Sequence, residues 1–585
     1  MQLLRSIGVA LLVATVVTVN MSAADELPPA SKWMPGGALA AIEVSGAADV
    51  LDLALSDEMI ETVYAMPGIQ QKVADGGADQ FKAIVGYFEA NLGTDWKSAT
   101  RTLLSGGATF AAYPDQSVLL VVDGADADLL EKLRAFTTTV AKGEAAKKGN
   151  AENIKSGDYR GVTGWTLGAK EAHAVIGSRL IVANNVERLK SAIDLKEDGG
   201  ASLADQAEFK ASRKAAGPNA DAFLMVNMGA LKQGPDIQKG LEKFENPVGS
   251  LLLAGVAESV RAANVITLAL DVDGDKVSLA AMSDGKIDAE NSSVAFAQTE
   301  DGSGALPNLK VPGFLAGFSV YRDMHGFYAA KDDLFPNRTG GLIFFENMMG
   351  IFFSGRDLTD EVLAETEPEI RVLVAKQKYD ENVGTPKTQI PAFAAILRMK
   401  DPDKFSMVME EAWQKAIGLV NFTRGQNAEP GLIIDRPIHG DTQFTVARFA
   451  APKVEERTDA DTRFNFNPAL AMPNGYLVLS STEGLACDLI DALKKETTET
   501  LAGIEQVHSL AEVDGTNLAA ILKVNREQLV RNNMLEEGHS RDQAETAIDT
   551  LLSIVGHLGQ TKFEIRNESG ATQARFVIEL KLAAK

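Results

Sequence analysis

Gly37-Ala38-Leu39-Ala40-Ala41-Ile42-Glu43-Val44 and Gly313-Phe314-Leu315-Ala316-Gly317-Phe318-Ser319-Val320 read as one strand written twice. At an offset of 313 − 37 = 276, Gly, Leu, Ala and Val recur in place. The apolar run Val118–Val122 meets Ala394–Leu397 at the same offset. Further along, Gly177–Val182 and the helix following it to Asp194 meet Asn474–Leu479 and Ile490-Asp491, now offset by 477 − 180 = 297. Asn219, Leu224, Val226, Asn227 and Leu231 match Asn517, Leu522, Val524, Asn525 and Leu529, each 298 apart. Last, the hairpin pattern Val265–Leu270, Asp273-Gly274, Val277–Met282 meets Phe563–Asn567, Ser569-Gly570, Phe576–Leu582. The matches keep their order, which reads as a tandem duplication with a period near 300 residues. The jump from 276 to 297 implies about twenty extra residues in the second copy, and Arg424–Gly440, with its Gly, Pro and Asn, is where the sequence invites them.

Within a copy the apolar period alternates between two and 3.6 residues. Ala38–Val44 reads as a strand, and Asp57 to about Asn91 as helices broken at Pro67-Gly68 and Gly76-Gly77. Thr109–Tyr113 and Val118–Val122 read as a hairpin turning at Pro114-Asp115. Asp126 is placed to cap an amphipathic helix carrying Leu129, Leu130, Leu133 and Phe136 on one face. A meander over Tyr159–Leu167, His173–Ile176 and Leu180–Ala183 leads into a helix at Val186–Leu195. The strand Ala222–Asn227, a helix near Gly249–Arg261 and the closing hairpin complete the copy, and Lys142–Asp158 reads as a loop. Hairpins outnumber crossovers. The expectation is therefore an α+β fold of two tandem repeats, each a mainly antiparallel sheet with helices packed on one face. The expected division is a leader over 1–24, a first repeat over 25–287, a linker over 288–307 and a second repeat over 308–585.

The leader is the reading of Arg5, the apolar run Ile7–Val19 and the small residues Ser22-Ala23-Ala24 ahead of Asp25-Glu26. That is the layout of a secretory signal peptide. The alternative, an uncleaved anchor, needs about 20 apolar residues, and the run has thirteen. The expectation is export to the periplasm or cell surface, with no transmembrane segment after cleavage. A formal charge of −23 sets the chain against nucleic acid and anionic lipid. The single cysteine, Cys487, excludes an internal disulfide and reads as a small buried hydrophobe within a helix.

No catalytic constellation emerges. The six histidines show no three- or four-residue spacing, so no helical zinc motif exists. There is no nucleophile elbow, no phosphate loop and no complete dinucleotide fingerprint. Asp271-Val272-Asp273-Gly274-Asp275 invites a calcium-loop reading, but the twelfth position is Met282 rather than Glu. An Asp-Gly pair between alternating strands is what a tight hairpin requires. Asn227 and Asn525 read as helix caps before they read as paired binding groups. The expectation is no catalytic residue, no cofactor and no metal.

One segment resists a bland reading. Gly341–Phe353, GLIFFENMMGIFF, is the most apolar run after the leader and has no comparable partner in the first copy. If helical it is hydrophobic nearly all round, which reads first as a buried core helix. The alternative is an exposed patch for a protein partner or an apolar ligand, with Phe344, Phe345, Phe352 and Phe353 as its contacts.

The layout resembles a family of exported bacterial proteins known only as a domain of unknown function. The resemblance rests on the Pro-Gly turn before the strand Ala38–Val44 and on the Gly-x-x-Leu-Val-Leu/Ala strands within Gly177–Ile193 and Gly475–Ile490. It rests also on Ser202-Leu203-Ala204 ahead of Ala222–Asn227. It implies the fold and export and carries no active site. The sequence therefore points to a non-catalytic binding or scaffold protein. A carrier of an apolar ligand and a hydrolase assembled from distant residues are the alternatives.

Overall fold

The computed structural model describes residues 27–73, 78–147, 149, 154–166, 171–234, 247–286, 304–497, 503–568 and 571–582. The leader and all but the last four residues of the expected linker lie outside them. The chain is mixed α+β with an extensive antiparallel sheet, and it divides into two compact units. One comprises 1–241, 263–285 and 580–585, the other 242–262 and 286–579.

The first unit contains β1 (Ala40–Val44), β2 (Ala108–Ala112), β3 (Val118–Asp123), β4 (Ser156–Tyr159), β5 (Val162–Thr166), β6 (Ala172–Ile176), β7 (Arg179–Ala183), β8 (Ala222–Asn227), β9 (Val265–Asp273) and β10 (Lys276–Ser283). Every pairing is antiparallel, in the order β10-β9-β8-β1-β2-β3-β7-β6-β5-β4. The second unit contains β11 (Phe314–Tyr321), β12 (Thr366–Ala375), β13 (Ala392–Met399), β14 (Leu432–Asp435), β15 (Thr445–Phe449), β16 (Ala469–Ala471), β17 (Tyr476–Ser480), β18 (Val507–Asp514), β19 (Leu558–Glu568) and β20 (Ala571–Leu580). Its order, again antiparallel, is β19-β18-β11-β12-β13-β17-β16-β15-β14. Raising each number of the first sheet by ten, from β9 to β4, reproduces the second.

The strand starts locate the extra residues. β4 and β14 are 432 − 156 = 276 apart, β5 and β15 are 445 − 162 = 283 apart, and β6 and β16 are 469 − 172 = 297 apart. The additional length thus lies in two connections of the meander: the shorter part in 436–444, which begins inside the Arg424–Gly440 stretch that composition suggested, and the longer part beyond it in 450–468. A flexible composition marks where chain is tolerated, and the tolerant spots here are two hairpin ends. One sequence match also dissolves. Leu224 and Val226 lie in a strand, whereas Leu522 and Val524 lie in a helix.

Both sheets have helices on each face, not on one. The principal helices are α1 (Ala127–Lys147), α2 (Val186–Asp198), α3 (Ala207–Ala216), α4 (Pro247–Ala262), α5 (Thr339–Phe352), α6 (Pro402–Gln426), α7 (Glu483–Thr497) and α8 (Gly515–Val524). In β6 and β7, Ala174 and Ile181 join the core with Leu189 and Ile193 of α2, while Val175 and Leu180 turn to Leu129 and Leu130 of α1. In β13 and β17, Ile396 and Val478 meet Leu489 and Ile490 of α7, while Leu397, Leu477 and Leu479 meet Phe405, Trp413 and Ile417 of α6. Successive strand residues point to opposite faces. Strands apolar at successive positions, such as Val118–Val122 and Leu477–Leu479, therefore call for a helix layer on both sides.

Local readings mostly hold. Asp126 accepts the backbone N–H groups of Asp128 and Leu129 at 2.9 and 3.0 Å and starts α1. That helix runs on to Lys147 and β4 begins at Ser156, so the expected loop over Lys142–Asp158 is shorter at both ends. Asp273 faces Lys276 across a tight turn with Gly274 at φ +61°, which makes the Asp-rich stretch a hairpin. Asn227 caps a helix by accepting the N–H of Ala230 at 2.9 Å. Asn525 makes no N-cap bond; it ends α8 and donates to that helix's Ile521 carbonyl at 3.2 Å. Its amide brackets the backbone of Gln389, accepting from N at 2.8 Å and donating to O at 2.8 Å.

Candidate functional site

The Gly341–Phe353 run forms α5, and it is not a core helix. Phe344 is 70 % exposed and Ile351 68 %. Phe345 is partly covered by Tyr328, their ring centroids 6.5 Å apart, and Phe352 is half-buried. Phe353, the residue after the helix, packs against the Phe405 and Trp413 cluster. An all-round apolar helix needs neighbours on every side to be buried. Among the described residues α5 packs against α6 and, through Leu342 and Phe345, against the Phe327–Phe335 segment, while Phe344 and Ile351 are left open to water. The structure thus places Phe344, Phe345 and Phe352 on one helix with Phe353 just beyond it, and none of the four lines either cavity found among the described residues.

The cavity lies elsewhere, between the C-terminal half of α6 and the sheet. It has a volume of about 610 Å³, within the range of roughly 300–1,000 Å³ usual for small-molecule sites. Trp413, Ile417 and Val420 come from α6, Phe393 from β13, Leu479 from β17 and Phe449 from β15. α6 presents them because residues three and four apart share a helix face, and Asp401 caps its start by accepting the Lys404 N–H at 3.2 Å. Phe393 and Val420, 49 % and 42 % exposed, stand at the mouth. None of the four phenylalanines expected from sequence lines this space.

Two guanidiniums enter this apolar surround, and no carboxylate does. Arg424, near the end of α6, sits 4.8 Å from the centre of the Phe449 ring, where the ring's negative face attracts it. It also donates to the Pro430 carbonyl at 2.6 Å and pairs with Glu429 at 3.1 Å. Arg463 comes from the 450–468 connection, where Asp461 fixes its backbone by accepting its N–H at 2.9 Å. Its guanidinium lies 5.6 Å from Phe449 and 4.9 Å from Phe464. The buried Arg463 Nε meets no hydrogen-bond acceptor among the described residues. The Ser480 and Ser481 hydroxyls at the wall are engaged internally, with Thr482 and with the Phe393 N–H.

A second cavity of about 480 Å³ is lined by Glu410, Glu411, Arg436 and Thr445. Glu410 accepts from Gln414 at 2.7 Å, Arg436 at 2.9 Å and Thr445 at 2.9 Å. Glu411 is held down to about 2 by hydrogen bonds from Ser354 and Lys415. A carboxylate held ionised through the neutral range in this way does not serve as a general acid. Cys487 is half-buried, and burial together with Glu483, Asp488 and Asp491 pushes its thiol up to about 11. It is a protonated, inert side chain at neutral pH. Among the described residues, no group of three or more His, Cys, Asp or Glu is placed to hold a metal ion, and no helix is long and apolar enough to cross a membrane.

No family model matches the chain, and no curated protein does. Among solved structures it is similar to TP0453 in crystal form IV, at 12 % identity over 44 % of this chain and 81 % of that one, with a TM-score of 0.22. Crystal forms I and III of TP0453 match at 10 % identity each. They cover 45 % and 46 % of this chain and 82 % and 86 % of theirs, both with a TM-score of 0.23. Likeness at that level carries no argument about this protein.

Sequence reasoning missed Trp413, Arg424, Phe449 and Arg463. The one available signal was that Arg463-Phe464-Asn465-Phe466 falls in chain the first copy lacks.

Proposed function

We propose that the chain is an exported, non-catalytic binding protein, built from two copies of one α+β unit, whose ligand is apolar and held beneath α6. The single observation that carries the ligand reading is the apolar cavity of about 610 Å³ walled by Trp413, Ile417, Phe449 and Leu479. The shared strand order supports duplication, and the Arg5 to Ala24 segment supports export. Water in an apolar space of this size is poorly hydrogen-bonded, so releasing it to admit a hydrocarbon chain is favourable.

The test is native mass spectrometry of protein purified from its own host. The expected result is excess mass that organic extraction removes. Val420→Trp, which fills the mouth of the cavity, should abolish that adduct, whereas Phe344→Ser on α5 should leave it. Bare protein from the host, or an adduct lost in Phe344→Ser and kept in Val420→Trp, overturns the reading. The same preparation tests export, because a mature chain beginning at Asp25 is expected from the Ser22-Ala23-Ala24 junction.

A second reading, a scaffold for a protein partner, has the exposed face of α5 in its favour. It predicts association that Phe344→Ser abolishes in sedimentation measurements, and unchanged sedimentation would remove it.

A further inference from the structure

We infer that the cavity beneath α6 takes a single-chain amphiphile with an anionic head, and that Arg463 receives the head. This rests on the ligand reading above and specifies its chemical class.

Unmet hydrogen-bonding capacity singles out Arg463. Of the two cations lining the space, Arg424 already has Glu429 at 3.1 Å and the Pro430 carbonyl at 2.6 Å. Arg463 has the faces of Phe449 and Phe464; among the described residues no carboxylate pairs with it, and its buried Nε meets no acceptor. A buried donor atom left without an acceptor is costly to the fold, more so on a charged group than on a neutral one. A cationic ligand would meet two guanidiniums and no counter-charge. A neutral hydrocarbon would fill the apolar wall and leave Arg463 as it stands. An anion with two or more oxygens supplies what is missing, since a planar guanidinium pairs with such a head through parallel N–H···O bonds. The aromatic faces beside the guanidinium hold it in place and exclude water around it, which strengthens the pair.

The position of Arg463 adds an independent support. It lies in the 450–468 connection, nineteen residues long, where the corresponding connection of the first unit, 167–171, has five. Phe466 and Pro468, also lining the cavity, come from the same stretch. The cavity is therefore a property of the second unit's added chain together with α6. The protein's charge of −23 repels anions at a distance, which makes a local pair of guanidiniums without carboxylates in the lining the more specific.

The experiment titrates the purified full chain, stripped of any extractable adduct, with dodecanoate, dodecyl phosphate, dodecanol and dodecyltrimethylammonium below their micellar concentrations. Trp413, in the cavity wall, is the fluorescent reporter, checked by calorimetry. One anion or both should bind roughly tenfold or more tightly than dodecanol, the scale of a charge-assisted hydrogen bond. The tighter of the two identifies the head as carboxylate or phosphate. Arg463→Gln should bring the anions to the level of dodecanol while dodecanol itself is unchanged, which also shows that the variant is folded. Equal binding of anion and alcohol by the wild type overturns the head-group inference and leaves the cavity reading standing. An Arg463→Gln protein that keeps its anion preference overturns it too. Absence of saturable binding by all four probes overturns both.

Discussion

Arg371 in β12 and Glu496 at the end of α7 are almost sealed from water, their side chains 3 % and 8 % exposed. Two parallel contacts join them at 2.6 and 2.7 Å, and the Tyr476 hydroxyl donates to the same carboxylate at 3.0 Å. Arg371 has one further acceptor, the Pro307 carbonyl at 3.3 Å. Removing one partner leaves the other charge desolvated. Arg371→Met strands a carboxylate with a single hydroxyl donor, and Glu496→Gln strands a guanidinium with a neutral acceptor. Breaking a buried pair in this way costs about 3–5 kcal/mol. Glu496→Gln, which keeps shape and one acceptor, should fall near the lower end and Arg371→Met near the upper. Replacing both by apolar residues, Arg371→Met with Glu496→Met, removes the two desolvation penalties along with the attraction. It should cost about 2 kcal/mol or less, mostly from the Tyr476 hydroxyl left without its acceptor.

Hydrogen exchange of β12 and β13 amides under native conditions reads the stability of this unit without requiring the whole chain to unfold in one step. The slowest of those amides should exchange about a hundredfold faster in Glu496→Gln, faster still in Arg371→Met, and more slowly in the double variant than in either single one. A double variant that loses the sum of the two single losses would show that the pair is not buried as the geometry has it.

Other perturbations follow from particular contacts. His173 is buried, and burial together with the nearby Arg134 lowers its pKa to about 4. Its folded pKa lies below its unfolded value near 6.5, so the unfolded chain binds the extra proton. Stability of the first unit should therefore fall as pH drops from about 6.5 toward 4, by about 3 kcal/mol in all. His173→Gln should flatten that limb of a pH series of urea melts. Gly107 sits at φ +86°, where an added Cβ would collide with the Val44 carbonyl oxygen. Gly107→Ala should cost about 2 kcal/mol or more in the same melts and displace the β1–β2 edge. Phe405, buried in the α6 cluster, should cost about 3–5 kcal/mol when cut to Ala. Phe344→Ser on the open face of α5 should change thermal stability by about 0.5 kcal/mol or less.

The strands were legible wherever their period was intact. Ala38–Val44, the Pro114-Asp115 hairpin and the Asp273-Gly274 turn could be placed because alternation and turn chemistry are local. What failed was whatever depends on neighbours. The two-sided helix layer was implicit in Leu477-Val478-Leu479, which offers apolar side chains to both faces, yet hairpins alone suggested one open face. Asn525 shows the same limit from another side, since its partner Gln389 is 136 residues away. α5 was misjudged because hydrophobicity tells what a helix would gain from burial but not whether any element arrives to cover it. Arg463 was invisible for the opposite reason. An arginine in a polar connection reads as solvent-exposed until the rings of Phe449 and Phe464 are found around it.

The two units differ just where a ligand would need them to. Each lays a long helix, α1 or α6, over the strand next to the last of its meander, and in each an arginine of that helix faces an aromatic ring of that strand. Arg134 lies 4.5 Å from Trp165, and Arg424 lies 4.8 Å from Phe449. Arg134 has Glu131 beside it as Arg424 has Glu429, but in the first unit the connection beyond β5 is only five residues long. In the second unit nineteen residues follow β15 and return Arg463, Phe466 and Pro468 to the same face of the sheet. A loop added only to be tolerated would stay polar and outside. This one brings aromatic rings inward with an arginine whose buried Nε meets no acceptor among the described residues, which costs the fold stability unless an occupant satisfies it. Shortening 450–468 to the five residues of the first unit separates the alternatives. If the stretch serves a ligand, the shortened chain should keep or gain thermal stability and lose binding of dodecanoate and dodecanol alike. If the stretch is structural packing, the shortened chain should melt lower, and the case for an evolved cavity falls with it.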